Sequence, residues 1–154
     1  MEETAWLTPE EARAWRGLQL MQMSLEREMA KQLSVESGLS YPEYVVLVAL
    51  TDQAQGRLRL HELGSLLGWE KSRVSHQITR MVRRQLVTKQ HCPDDRRGAF
   101  VVLTDTGRDE IESAAPGHVR LVRELFIDRL TDDQLRTLAG IAENVLSGMD
   151  AGSA

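Results

Sequence analysis

Between Lys71 and Arg84, ten positions carry cationic or hydrogen-bonding side chains, and none of them is a carboxylate: Lys71, Ser72, Arg73, Ser75, His76, Gln77, Thr79, Arg80, Arg83 and Arg84. The remaining residues Val74, Ile78, Met81 and Val82 recur at i, i+4, i+7 and i+8, one face of a helix with a 3.6-residue period. This spacing predicts that the apolar four pack inward and the ten polar positions turn outward. A surface of that kind suits an anionic polymer.

The next twenty residues point the same way. Leu86–Cys92 is β-prone, Pro93–Gly98 is a turn cluster with Arg96 and Arg97, and Ala99–Leu103 is β-prone again. Two strands joined by a basic tip make a wing, and helix, strand, basic loop, strand is the order of a winged helix-turn-helix. In that arrangement the helix enters a major groove while the tip reaches phosphates or a minor groove. Residues 71–97 hold eight Lys or Arg against two Asp, a local charge of +6, so the rest of the chain carries −10 and the whole −4. A solvated Arg-rich helix normally has acids interspersed, and here they are missing.

The elements that position this unit are legible from caps and periodicity. Thr8-Pro9-Glu10-Glu11 predicts a capping box opening a long helix with the stripe Leu18, Met21, Leu25, Met29 and Leu33. Trp15, Leu20 and Met23 add more apolar surface than one buried face needs, which points to a partner subunit. Gly38 ends that helix, and Ser40–Glu43 opens a second, nearly all core, that breaks at Gln53–Gly56. Leu60, Leu63, Leu66 and Leu67 are expected inward on a short third helix, linked through Gly68-Trp69-Glu70 to the basic one. After the wing, a helix is expected from Thr104 to Leu130, kinked or split where Pro116-Gly117 interrupts it. Thr131–Gln134 is a further capping box, opening a last helix with Leu135, Leu138, Ile141 or Ala142, Val145 and Met149 as its stripe.

The composition, 154 residues with 42% apolar and 27% charged side chains, is that of an ordinary globular chain. One cysteine excludes an intrachain disulfide, and the start MEETAWLTPEE has neither a basic nor an apolar leader, so a cytoplasmic protein with no membrane association is expected.

Three stretches together resemble the MarR family of bacterial transcriptional regulators: Leu63–Gly68, the basic helix ending Arg83-Arg84-Gln85-Leu86-Val87, and Cys92–Gly98 running through Val102–Gly107. The last is similar to the family's wing signature, an Asp-x-Arg before a strand ending Leu-Thr-x-x-Gly, and the order of six helices and a wing covers about residues 8–149. The resemblance implies a mainly α fold with a small β-wing, as one MarR-type domain over 1–154. Within it, 40–104 would be the DNA-binding lobe and 8–37 with 105–149 the dimerisation helices. It also implies a homodimer on a palindromic operator, its half-sites about 34–36 Å apart. Most members repress, and many leave DNA when a small lipophilic or phenolic compound binds between the dimer base and the winged domain.

Carried over by position, Lys71, Ser72, Arg73, Ser75 and His76 lie where the reading helix begins, the last four of them toward base edges. Arg80, Arg83 and Arg84 then fall to phosphates, Arg97 to the minor groove, Asp95 to holding the wing and Arg96 to a phosphate. Gln85 stands where the family usually has Gly, so the turn must accept a side chain or change conformation.

Sharper chemistries have less support. Cys92 sits at the end of a wing strand rather than near the first helix, where peroxide-sensing relatives place their thiol. His91, Cys92, Asp94 and Asp95 lack the spacing of a structural zinc site, so no metal or other cofactor is expected. Trp15, Tyr41, Tyr44, His61 and Arg120 are candidates to line an effector cleft, and Val45 stands where urate-responsive relatives carry an acid. With no phosphate loop, nucleophile elbow or Cys/His pair, no enzyme is expected. The other class of function is a winged-helix adaptor without DNA binding, which predicts neutral residues on the helix and wing tip.

Overall fold

The computed structural model describes residues 4–151, with the side chains of 95–97 and 151 outside the description. In chain order the elements are α1 (Pro9–Ser37), α2 (Tyr41–Thr51), β1 (Arg57–Arg59), α3 (Leu60–Leu67), α4 (Lys71–Arg83), β2 (Val87–Cys92), β3 (Asp95–Leu103), α5 (Asp105–Leu125) and α6 (Asp132–Ala151). A 3₁₀ turn, Ile127–Arg129, precedes α6. The chain forms two compact units, Met1–His118 and Val119–Ala154.

The starts of the helices follow the expected local chemistry. The Thr8 hydroxyl accepts the Glu11 N–H at 3.3 Å while the Glu11 carboxylate accepts the Thr8 N–H at 2.7 Å. The Thr8 backbone N–H, and after it the Thr8 hydroxyl, hold the exposed Glu11 carboxyl below its usual range. Ser40 and Glu43 repeat the exchange at 3.2 and 2.9 Å, and Thr131 and Gln134 at 3.2 and 2.9 Å. Gly38 closes α1 in the left-handed conformation, φ 70°.

In the first unit α2 is the central element. Val46, Leu47 and Leu50 are fully buried with Leu33 and Leu39, and the core continues through Leu63, Val74, Ile78, Met81, Val87 and Val101 to Ile111 and Ala114. A three-stranded antiparallel sheet in the order β1-β3-β2 closes one side. Strand β1 was not expected from sequence: Arg-Leu-Arg is too short and too charged to show a period, and only its pairing with Phe100–Val102 makes it a strand.

Three expectations are corrected, and a fourth, the kink or split at Pro116, is narrowed. On α4 the buried set is Val74, Gln77, Ile78 and Met81, the i, i+3, i+4, i+7 stripe, so Gln77 is buried and Val82 is exposed. The buried face is set by helix geometry rather than by side-chain type. Leu66 falls off the equivalent Leu60, Leu63, Leu67 stripe of α3 and is 60% exposed. Pro116 neither splits the fifth helix in two nor ends it. It and Glu112, whose carbonyl would otherwise take its N–H, are both exposed, so water can satisfy the freed acceptor. The same helix stops at Leu125 rather than Leu130, where Arg129 Nε donates to the Glu124 carbonyl at 3.1 Å and Arg123 pairs with Asp128 at 2.6 Å.

In the second unit, α6 keeps Ile141, Val145, Leu146 and Met149 more than half exposed. On α1, Trp15, Leu20 and Met23 are likewise open. No helix among the described residues is long and apolar enough to cross a membrane.

Candidate nucleic-acid interface

Helix α4 is presented by a tight junction with α3. Gly68 takes φ 64° to turn the chain, and a Cβ on Gly64 would lie 3.2 Å from both the Trp69 carbonyl and Val74, so the helices approach through a missing side chain. With its apolar stripe held in the core, α4 turns Lys71, Ser72, Arg73, His76, Thr79, Arg80 and Arg83 to solvent, with Ser75 half-buried. Ser75, His76, Thr79, Arg80 and Arg83 line one open cleft of about 530 Å³.

Not every cation on this helix is equally available. Arg73 stacks on Trp69, its guanidinium carbon 4.2 Å from the ring centroid, which holds the side chain at the start of the helix. Arg80 donates to the Gln77 amide oxygen at 2.5 Å. Arg84 donates to the buried Glu43 carboxylate at 2.5 Å and to the Gly38 carbonyl at 3.3 Å, so its guanidinium ties the end of α4 to the α1–α2 junction. The family resemblance placed it with Arg80 and Arg83 among the phosphate contacts; Arg83 is exposed and makes no ion pair among the described residues.

The wing is β2 and β3, with a register irregularity at His91/Cys92 where Cys92 pairs with Asp95. The side chains of Asp95, Arg96 and Arg97 lie outside the described residues. Cys92 is buried, 2% exposed, which shields its thiol from oxidants. Among the described residues no three His, Cys, Asp or Glu converge as a metal site.

The root of the wing explains its signature physically. The Thr104 hydroxyl lies 2.7 Å from the Gln85 carbonyl and 2.9 Å from the Leu86 carbonyl, and it accepts the Gly107 N–H at 2.9 Å. One threonine thus fastens the end of β3, the turn after α4 and the start of α5. Gln85 sits in that turn at φ 61°, the one non-glycine residue with positive φ among the described residues. The turn keeps the left-handed backbone and accepts the side chain. A left-handed L-residue costs about 1–2 kcal/mol, partly offset by the greater unfolded freedom of Gly. Gln85→Gly is therefore expected to raise stability by about 0.5–1 kcal/mol, read as a higher denaturant midpoint at unchanged slope; a lower midpoint would refute the strain.

These features, an acid-poor helix after a tight turn and a wing pinned at its root, are those of a winged helix-turn-helix regulator. Residues 39–98 match the MarR family profile. The MarR family transcriptional regulator Sco3205 of Streptomyces coelicolor, in complex with DNA, is similar at 36% identity and a TM-score of 0.90, covering 96% of this chain and 92% of that one. This chain belongs to the MarR family. AbsC of the same organism, a MarR family transcriptional regulator, is equally similar at 36% identity and TM-score 0.90, covering 96% and 99%. The HTH-type transcriptional repressor YetL of Bacillus subtilis is 26% identical over 111 residues, 70% of this chain and 66% of that protein. The curated relatives are matched over 62–66% of their own length. As a MarR-family member the protein is a transcriptional regulator and not an enzyme.

The residues expected to line an effector cleft in this MarR-family chain do not all meet. Tyr41 and Tyr44 do, with Val45, Val48, Leu66, Leu67 and His118 around a cleft of about 300 Å³. Tyr41, Val45 and Leu67 also wall a second cleft, of about 400 Å³, that reaches Trp69 and Arg73. His61 instead lines a cleft with Lys71, Gly98 and Ala99, Trp15 lies exposed on α1, and Arg120 belongs to the second unit.

Sequence reading missed His118. Its ring sits 4.3 Å from that of Tyr44, and its Nδ1 is buried without a partner. Burial pushes the imidazole pKa down and the Tyr41 and Tyr44 phenols up, Tyr41 also through Glu26 and Tyr44 through Tyr41. The cleft thus offers apolar walls, with burial favouring the neutral forms of both phenols and of the imidazole.

Proposed function

We propose that this regulator binds a palindromic operator as a homodimer, represses transcription there, and is released by a small lipophilic or phenolic effector. The carrying observation is the outward face of α4, polar and cationic from Lys71 to Arg83, on a helix whose other face is locked into the core. An adaptor would have no use for that charge. In this reading Ser72, Arg73, Ser75 and His76 meet base edges, and Lys71, Arg80 and Arg83 meet phosphates. Arg97 enters the minor groove, with Asp95 and Arg96 shaping and anchoring the wing.

The open apolar surfaces of α1 and α6 support a dimer, since such area is normally covered in a stable protein. The dimerisation helices would be 8–37 and 105–149, flanking a DNA-binding lobe over 40–104. Likeness to a named repressor supports repression. The clefts that share Tyr41 support effector release, because one of them is walled by Arg73 and a ligand there would meet a DNA-reading side chain.

Selection of bound fragments from the source genome, together with titration at two salt concentrations, tests the reading. Arg73→Ala should relax specificity at one base position per half-site, a loss of about 1–3 kcal/mol of discrimination, while Arg97→Ala weakens binding to all sequences. Parent-like binding by both variants would mean that the assigned surface is wrong.

A further inference from the structure

The outer face of the wing sheet carries a cluster that operator reading by α4 and the wing tip does not use. Arg57, Val102 and Thr88 lie opposite one another across the three strands, as do Arg59, Phe100 and Gln90, while the alternate row contains the fully buried Val101. The first two rows therefore face away from the core. Arg57 and Arg59 both lie on the Phe100 ring, their guanidinium carbons 4.4 and 5.1 Å from its centroid. Arg57 Nε donates to Gln55 at 3.0 Å, and neither guanidinium makes an ion pair among the described residues. No carboxylate occupies these rows.

Two cations held half-buried on one ring are ordered before any partner arrives, so an anion that meets them loses less side-chain freedom on binding. The geometry points to this face as an auxiliary phosphate-binding surface for the duplex that α4 and the wing tip engage, an inference that rests on the DNA-binding reading. Phe100 is five residues from Asp95 at the start of β3, about 16–17 Å at the usual strand rise. A wing inserted by its tip has a DNA backbone on either side. The inner side is the cleft where Lys71 faces Gly98 and Ala99; the outer side is this sheet face. Arg57 and Arg59 would take the outer backbone without reading sequence, lengthening the contacted DNA beyond each half-site.

Titration of the full-length protein with a random-sequence duplex over about 50–200 mM salt tests the inference. The double variant R57Q/R59Q should bind about tenfold more weakly near 100 mM, with a salt slope flatter by about two per bound subunit, and R57K/R59K should restore the slope. Single variants R57Q and R59Q should each show about half the effect, which keeps the test decisive if the double variant folds poorly. Phe100→Leu should weaken binding a few-fold at parental slope, because the charges remain and only their ordering is lost. Parental affinity and slope in R57Q/R59Q would overturn the inference while leaving the DNA-binding reading intact. Absence of salt-dependent binding by the parent would overturn both.

Discussion

Gly107→Ala is expected to lose about 3 kcal/mol or more of folding stability, a large share of the roughly 5–15 kcal/mol that holds a small domain together. A Cβ at Gly107 would lie 2.1 Å from the Leu86 carbonyl oxygen, 2.9 Å from Leu103 Cδ1 and 3.1 Å from the Leu86 carbonyl carbon. The nearest obstacle is backbone, so no rotamer change relieves it. The start of α5 would have to withdraw from the turn, pulling Thr104 away from the Gln85 and Leu86 carbonyls. Both the fold and the seating of the wing should suffer, and denaturant midpoints together with DNA titration would show it. A Gly107→Ala protein as stable as the parent would remove the proposed reason for a glycine here.

The second large effect is expected at Glu43. Its carboxylate accepts the Ser40 N–H at 2.9 Å and the Arg84 guanidinium at 2.5 Å, with its own side chain 7% exposed and that of Arg84 46%. Glu43→Ala removes a helix-capping partner, worth about 1 kcal/mol, and an ion pair discounted to about 1–2 kcal/mol because Arg84 is half in water. The total, about 2–3 kcal/mol, should appear in the unfolding midpoint. Glu43→Gln, which keeps an acceptor for both donors, should lose about 1 kcal/mol. Arg84→Ala then separates two roles. If the side chain is a clamp, stability falls and the salt slope of DNA binding stays parental. If it is a phosphate contact, the slope flattens by about one per subunit and stability holds. The geometry favours the clamp.

Much of the reading unit was legible because its signals are local. Capping boxes at Thr8, Ser40 and Thr131 involve partners three residues apart, and the amphipathic face of α4 repeats within two turns. Short-range chemistry of this kind is written into consecutive residues, as is the wing order that carries the family resemblance. Even there, side-chain type misled where geometry decided: Gln77 occupies a core position that Val82 does not, because it falls on the buried stripe and the valine lies beside it.

The chain's own letters determined a cationic, acid-poor helix, a basic hairpin and the capped helices around them. The tertiary fold decided which of those charges remain available. It joined Arg84 to Glu43 across 41 residues, set two arginines of an unforeseen strand on Phe100, and brought His118 to Tyr44. Each of these depends on which strand pairs with which and which helix packs on which, and contacts between residues far apart in the chain leave no period or spacing to read beforehand.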